Sequence, residues 1–247
     1  MPLAGIHDDK LDLPPGFQPI VLREAGDAFA HAKAVAAQEG AGTVVHVGRF
    51  DLAEFAVILE PDEPLREARR ALYAGCVALS DALAVFAPPE RPIELAWPDA
   101  VRVDGGLVGG VQLAWPEGAP EDAVPDWLVF GAMIRIVAMG EEESGLRPLG
   151  VALEEEGFDD VGSGRLVETF TRHLMVAVDT WRERGFDAVA KSYLALLTPE
   201  PGVRRAIDRN GDLLVSRVAA PGVERRALLP ALARVVWLDP ASGGPRK

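Results

Sequence analysis

The chain has 247 residues, 49% of them hydrophobic, enough to bury a full core in one domain with or without a small addition. A formal net charge of −13, with no basic cluster to relieve it, argues against nucleic acid, whose phosphates would be repelled, and points to neutral small molecules or proteins as partners. No apolar run approaches the ~20 residues needed to span a bilayer, Met1-Pro2-Leu3-Ala4-Gly5 carries no basic segment followed by an apolar core, and the one cysteine excludes an internal disulfide or a cysteine-rich metal site, so a cytoplasmic protein is expected.

The first dozen residues, with His7, Asp8, Asp9, Lys10 and Asp12, read as a loose arm, 1–16, ending at Leu13-Pro14-Pro15-Gly16. Glu24 to Gln38 reads as an amphipathic helix with Phe29, Ala32 and Val35 on one side. Asp27 near its start either caps backbone N–H groups or contacts a ligand. Gly40-Ala41-Gly42-Thr43 leads into a strand, Val44-Val45-His46-Val47, and after Gly48-Arg49 a second strand covers Phe55 to Leu59. His46, beside that short connection, is a candidate site residue or a packed strand residue. Pro64 to Phe86 predicts one long helix, because Leu65, Ala68, Leu72, Cys76, Leu79 and Leu83 recur at helical spacing. Cys76 falls on the buried stripe and reads as a structural thiol.

Pro88-Pro89 and Pro92 then mark a connection into Ile93-Glu94-Leu95, which delivers the corner Trp97-Pro98-Asp99. The tryptophan offers a flat apolar surface, the proline fixes its own φ, and the carboxylate can bond neighbouring amides. Val101 and Val103 alternate with Arg102 and Asp104 as in a half-buried strand, Asp104-Gly105-Gly106 suits a tight hairpin, and the returning strand carries Gly109-Gly110, where no side chain blocks a ligand. Trp115 to Asp122 reads as a solvated loop, and Ala132 to Ile136 as a buried strand in which Arg135 faces solvent, a pocket or a partner. Glu141-Glu142-Glu143 suggests either an exposed acidic turn or a cation site. Val161 to Leu197 reads as one or two helices, broken near Gly185, with His173 as a structural hydrogen-bonder. From Pro199 the pattern changes to short strands and turns, with Asn210-Gly211 as a hairpin signal, a turn at Pro221-Gly222, and a short helix and final strand within Glu224 to Pro240.

The stretch from Trp97 to Val111 resembles the segment of biotin/lipoate protein ligases that runs Lys-Trp-Pro-Asn-Asp, then a hairpin, then Lys-Leu-Ala-Gly-Ile-Leu. Weaker likeness extends over residues 17–197, through Gly40 to Val47 and through Pro125 to Ile136, which is similar to a later family strand reading Gly-x-Gly-Ile-Asn. The resemblance implies an α+β domain over 17–197, a mixed β-sheet with helices packed on one side, and a small β-rich C-terminal appendage over 198–247. It also implies biotin, lipoate or octanoate, together with ATP, as ligands, and an acceptor protein whose lysine is modified. The ligand region so marked comprises Trp97, Asp99, Gly109, Gly110, Arg135, Arg49 and His46, with the first four expected to border the main pocket and no metal.

Departures from the family pattern bear on activity. The Gly- and Arg-rich loop that holds an acyl-adenylate phosphate in such enzymes is reduced to Gly48-Arg49, Leu107 stands at the family's hairpin lysine, and Ala96 precedes the tryptophan in place of another. No lysine occurs between Ala34 and Ala190. Arginine binds carboxylates and phosphates bidentately, so Arg49, Arg102 and Arg135 are the available cations, with Arg135 best placed for a ligand carboxylate. Two functions follow as alternatives. One is a divergent ligase or acyltransferase in which arginines replace the lysines. The other is a non-catalytic binding or accessory protein with a degenerate site that kept the fold and lost adenylation.

Overall fold

The structure is a computed structural model and describes residues 11–23, 26–139 and 150–246. Seven strands, β1 (Gln18–Arg23), β2 (Thr43–Gly48), β3 (Leu52–Leu59), β4 (Ile93–Ala96), β5 (Ala100–Val103), β6 (Gly106–Ala114) and β7 (Leu128–Arg135), form one sheet of order β1-β2-β3-β7-β6-β5-β4. β1 is parallel to β2, which requires a crossover, and α1 (Ala28–Glu39) supplies it. Every other neighbouring pair is antiparallel. The acidic run Glu141-Glu142-Glu143 lies outside the described residues.

Helices cover both faces, not one. α1 buries Ala28, Ala32 and Ala36, small residues four apart that let it lie close over Val45, Val47, Ala56, Ile58 and Val129. Gly26-Asp27 stays outside the helix, and the Asp27 carboxylate accepts the Ala30 amide at 2.7 Å, the capping role and the reason the helix begins later than its periodicity suggested. The opposite face carries the main core beneath α2 (Leu65–Ala68), α3 (Ala71–Ala84), α4 (Ser163–Arg184) and α5 (Phe186–Leu196). Gly75 of α3 is pressed onto Phe130 so closely that a Cβ would fall 2.1 Å from the ring. Phe130 in turn stacks on Phe170 of α4 with centroids 5.6 Å apart.

The expected helix from Pro64 to Phe86 is interrupted at Arg69-Arg70. There the amides of Arg70, Leu72 and Tyr73 bond carbonyls three residues back, which tightens the turn while keeping the apolar side facing the core. The break between α4 and α5 falls at Gly185, whose φ of 81° suits glycine.

The appendage is a three-stranded sheet of β8 (Val203–Ile207), β9 (Leu213–Arg217) and β10 (Ala220–Arg226), followed by α6 (Leu228–Leu232). Its Leu213, Val215 and Leu228 join the main core. Pro221-Gly222 lies within β10, at an irregularity of register, and the turn sits one step earlier, before Ala220. The final strand expected at Val235 to Leu238 reduces to a single bridge between Leu238 and Pro245.

Candidate functional site

The Trp97-Pro98-Asp99 corner, which includes a cis Trp97–Pro98 peptide, is bound to the helices behind it. The Pro98 carbonyl accepts the Tyr193 hydroxyl at 2.9 Å and faces the Cys76 thiol at 3.9 Å. The Trp97 indole donates to the Tyr73 hydroxyl at 3.1 Å, and Tyr73 donates to the Gly211 carbonyl at 2.5 Å, so one relay ties the corner to the appendage hairpin. Burial pushes the Cys76 thiol well above its usual range, consistent with a structural thiol and not a nucleophile. Asp99 is 2% exposed. Burial pushes its carboxyl up to about 7, opposed by the N–H of Trp237.

The glycine pair serves packing at each position. A Cβ at Gly109 would lie 1.9 Å from the Met133 carbonyl oxygen, so Gly109 permits the close β6–β7 approach. A Cβ at Gly110 would lie 2.5 Å from the indole ring of Trp237. Trp237 is 2% exposed, clusters with Ala100 and Leu107, with Met133 against it, and donates its Nε1–H to the Val111 carbonyl at 3.2 Å. The open surface expected at Gly110 is therefore filled by a side chain arriving from more than a hundred residues away, as the 126-residue separation of that hydrogen bond records.

Alternation along β7 explains the geometry. Val129 lies under α1, Gly131 under Phe29 of α1, and Met133 against Trp237. Arg135, next on that face, donates to the Pro245 carbonyl and, at 3.3 Å, to that of Arg246. Arg135, expected from the sequence as the cation best placed for a ligand carboxylate, is 7% exposed and holds the backbone of residues 245–246. The second half of this face is thus covered by the segment 234–246, continuing the layer that α1 begins.

Between α1 and that segment lies a cavity of about 300 Å³, lined among others by Asp27, Phe29, Arg49, Glu54, Gln112 and Trp237. Arg49 stands in the three-residue link between β2 and β3, clasped by Asp51 at 2.8 and 2.7 Å, and 3.9 Å from Glu54. That pairing holds Asp51 below the usual carboxylate range. Glu54 accepts the Ala28 amide at 3.0 Å, and burial raises its pKa against that bond. His46 lies on the other face of β2, 5% exposed and 3.3 Å from the Ser163 hydroxyl at the start of α4. Trp97, Asp99, Gly109, Gly110, Arg135 and His46 do not line this cavity, whereas Arg49 does.

A second, larger cavity of about 1040 Å³ is an open groove whose lining includes Glu60, Asp62 and Glu63 together with Arg182, Arg184 and Arg209. None of the seven sequence candidates borders it. Sequence reasoning missed Trp237, Gln112, Glu54 and Phe29 as cavity residues. The visible signal for the first is the run Val235-Val236-Trp237-Leu238, whose apolar pattern reads as a strand, and no local pattern marks Glu54 or Gln112.

A mixed sheet with a crossover helix on one face, a helical layer of α2 to α5 on the other and a small C-terminal sheet defines the class of biotin-ligase-like proteins. The chain belongs to the biotin/lipoate A/B protein ligase family, whose model matches residues 13–195. Its structure is similar to that of a biotin protein ligase-like protein of unknown function from Silicibacter sp. tm1040, with a TM-score of 0.77, 25% identity, and coverage of 91% of this chain and 100% of the other. It also resembles the fold of biotin protein ligase from Aquifex aeolicus, solved as an R40G mutant in complex with biotin, with a TM-score of 0.65, 16% identity, and coverage of 86% and 96%. No curated protein matches.

Proposed function

We propose that the chain is a small-molecule-binding member of this family that does not perform ATP-dependent adenylation. The observation that carries the reading is that the three cations singled out from the sequence are engaged within the protein: Arg135 on the carbonyls of Pro245 and Arg246, Arg49 on Asp51, and Arg102 on the Gly105 carbonyl at 2.7 Å. Adenylation requires positive charge free to meet a carboxylate and a phosphate. Leu107, at the position where the resemblance implies a lysine, packs instead in the cluster around Trp237. The link between β2 and β3 is Arg49-Phe50-Asp51, too short to wrap a phosphate with backbone amides.

The cavity between α1 and residues 234–246 is the ligand site in this reading. Asp27 and Glu54 line it and Arg49, the one cation among its described lining residues, is paired with Asp51, so a ligand part that is uncharged and donates hydrogen bonds fits there better than a carboxylate. An ATP–pyrophosphate exchange assay with biotin, lipoate and octanoate tests the proposal. The expected result is no exchange above the acid-free background with any of the three, while calorimetry detects binding of at least one. Exchange with any of them overturns it in favour of a working ligase.

A further inference from the structure

Segment 234–246 is held to the sheet in an unusual way. Among the described residues, the backbone–backbone hydrogen bonds of 235–246 all close within the segment: Asp239 N to Gly244 O, Gly243 N to Asp239 O, and Arg246 N to Trp237 O, with the Leu238–Pro245 bridge. Asp239 also accepts from the Ala241 amide and the Ser242 hydroxyl, at 3.0 and 2.9 Å. The segment is thus a self-contained loop. Among the described residues, its hydrogen bonds to the sheet run through two side chains, Trp237 onto the Val111 carbonyl and Arg135 onto the carbonyls of Pro245 and Arg246. Its middle, Asp239 to Ser242, is intermediate or exposed.

An element docked by side chains alone can leave without breaking any strand ladder, and such elements open at lower free energy than the core. What its departure would uncover is specific: the bare backbone at Gly110, the carbonyl of Val111, the side chains of Met133 and Arg135, and the mouth of the 300 Å³ cavity, whose wall includes Trp237, Leu238, Ser242 and Gly243. Gly110 has no Cβ, so the surface beneath Trp237 is flat and accepts either an indole ring or another planar or apolar group.

We infer that residues 234–246 are a releasable strap in which Trp237 occupies, as an intramolecular ligand, the Gly110 platform that continues the cavity, so that a ligand larger than the cavity enters by displacing it. Only the displacement by ligand rests on the preceding proposal; the strap itself does not.

Amide hydrogen exchange on the full chain, followed by mass spectrometry, tests both parts. The strap predicts that peptides covering 234–246 exchange at least ~100-fold faster than those covering β6 and β7, as a separate opening unit, and that Trp237→Ala speeds the segment a further ~10-fold or more while β6 and β7 keep their protection. Exchange of the segment at the rate of β6 and β7, or equal loss of protection in all three in the variant, overturns the inference. Octanoate and biotin are then added separately to the wild type. Faster exchange in 234–246 with slower exchange in β6 supports displacement; separate opening with no response to either acid upholds the strap and counts against the ligand reading.

Discussion

Two adjacent glycines in β6 have different jobs, and the difference is measurable. At Gly109 an added methyl meets the Met133 carbonyl of the neighbouring strand at 1.9 Å, whereas at Gly110 it meets the Trp237 ring at 2.5 Å. Backbone cannot yield without opening the ladder, but a side chain on a loop can. Gly109→Ala should therefore cost more than the ~1–3 kcal/mol typical of overpacking, and Gly110→Ala should fall within it, with red-shifted tryptophan emission as Trp237 is expelled. Chemical denaturation and fluorescence of the two variants check this; equal costs with unchanged emission would mean that Trp237 does not rest on Gly110 as described. Asp99 provides a pH test. Burial disfavours its charge and pushes its folded carboxyl from the usual carboxylate range up to about 7. Cys76 and Tyr193 adjoin it without supplying a cation, and Trp237 offers one N–H. A carboxyl raised on folding favours the folded state below its unfolded pKa, and that stability is lost progressively as pH rises from about 4 to about 7. Between pH 5 and pH 8 the wild type should lose on the order of 2–3 kcal/mol relative to Asp99→Asn; parallel pH profiles of denaturation would contradict the buried carboxyl.

At the scale of elements, the junction between α2 and α3 is fixed by charge as much as by apolar spacing. Arg70, 7% exposed, donates to the Glu67 carbonyl at 2.9 Å and to Glu63 at 2.5 Å, while its guanidinium lies 4.6 Å from the Phe186 ring centroid and 5.4 Å from that of Trp181. It thereby joins the helix junction to the α4–α5 turn. Arg70→Ala should destabilise by about 2–4 kcal/mol, since it strands partly buried acids and removes packing. Arg209→Ala, which breaks an ion pair of 3.0 Å with Glu67 from a side chain 79% exposed, should destabilise far less, because solvent screens the pair. Urea titrations of both variants decide, and a larger loss at Arg209 would invert the account. The same junction shows what the sequence could and could not convey. Leu65, Ala68 and Leu72 keep helical spacing through the break, so periodicity alone reads one helix; the interruption is written in hydrogen bonds of Arg70, Leu72 and Tyr73, which leave no trace in the apolar pattern. Gly185 and the Asn210-Gly211 hairpin were legible because their backbone geometry demands particular residues.

For the whole molecule, the order of strand, helix and hairpin carried the fold, since Trp97 to Val111 joins a rigid corner to a tight turn at Asp104 and Gly105, both with positive φ. The site was legible only in part. Arg49 was placed at the cavity, but Gly110 and Arg135 proved to face a segment roughly a hundred residues further along the chain, a long-range contact that local pattern does not encode. Trp237 could have been flagged as a bulky side chain in search of a glycine, yet nothing in sequence named which glycine. The central proposal is that this ligase-type fold, with Arg49 and Arg135 engaged inside the protein and the Gly110 platform covered by Trp237, does not bind ATP. Titration calorimetry of magnesium–ATP into the full chain tests it most directly: the account predicts no saturable heat at ligand concentrations up to about 1 mM, the range corresponding to ~4 kcal/mol of binding, and saturable binding with a dissociation constant in the micromolar range would contradict it.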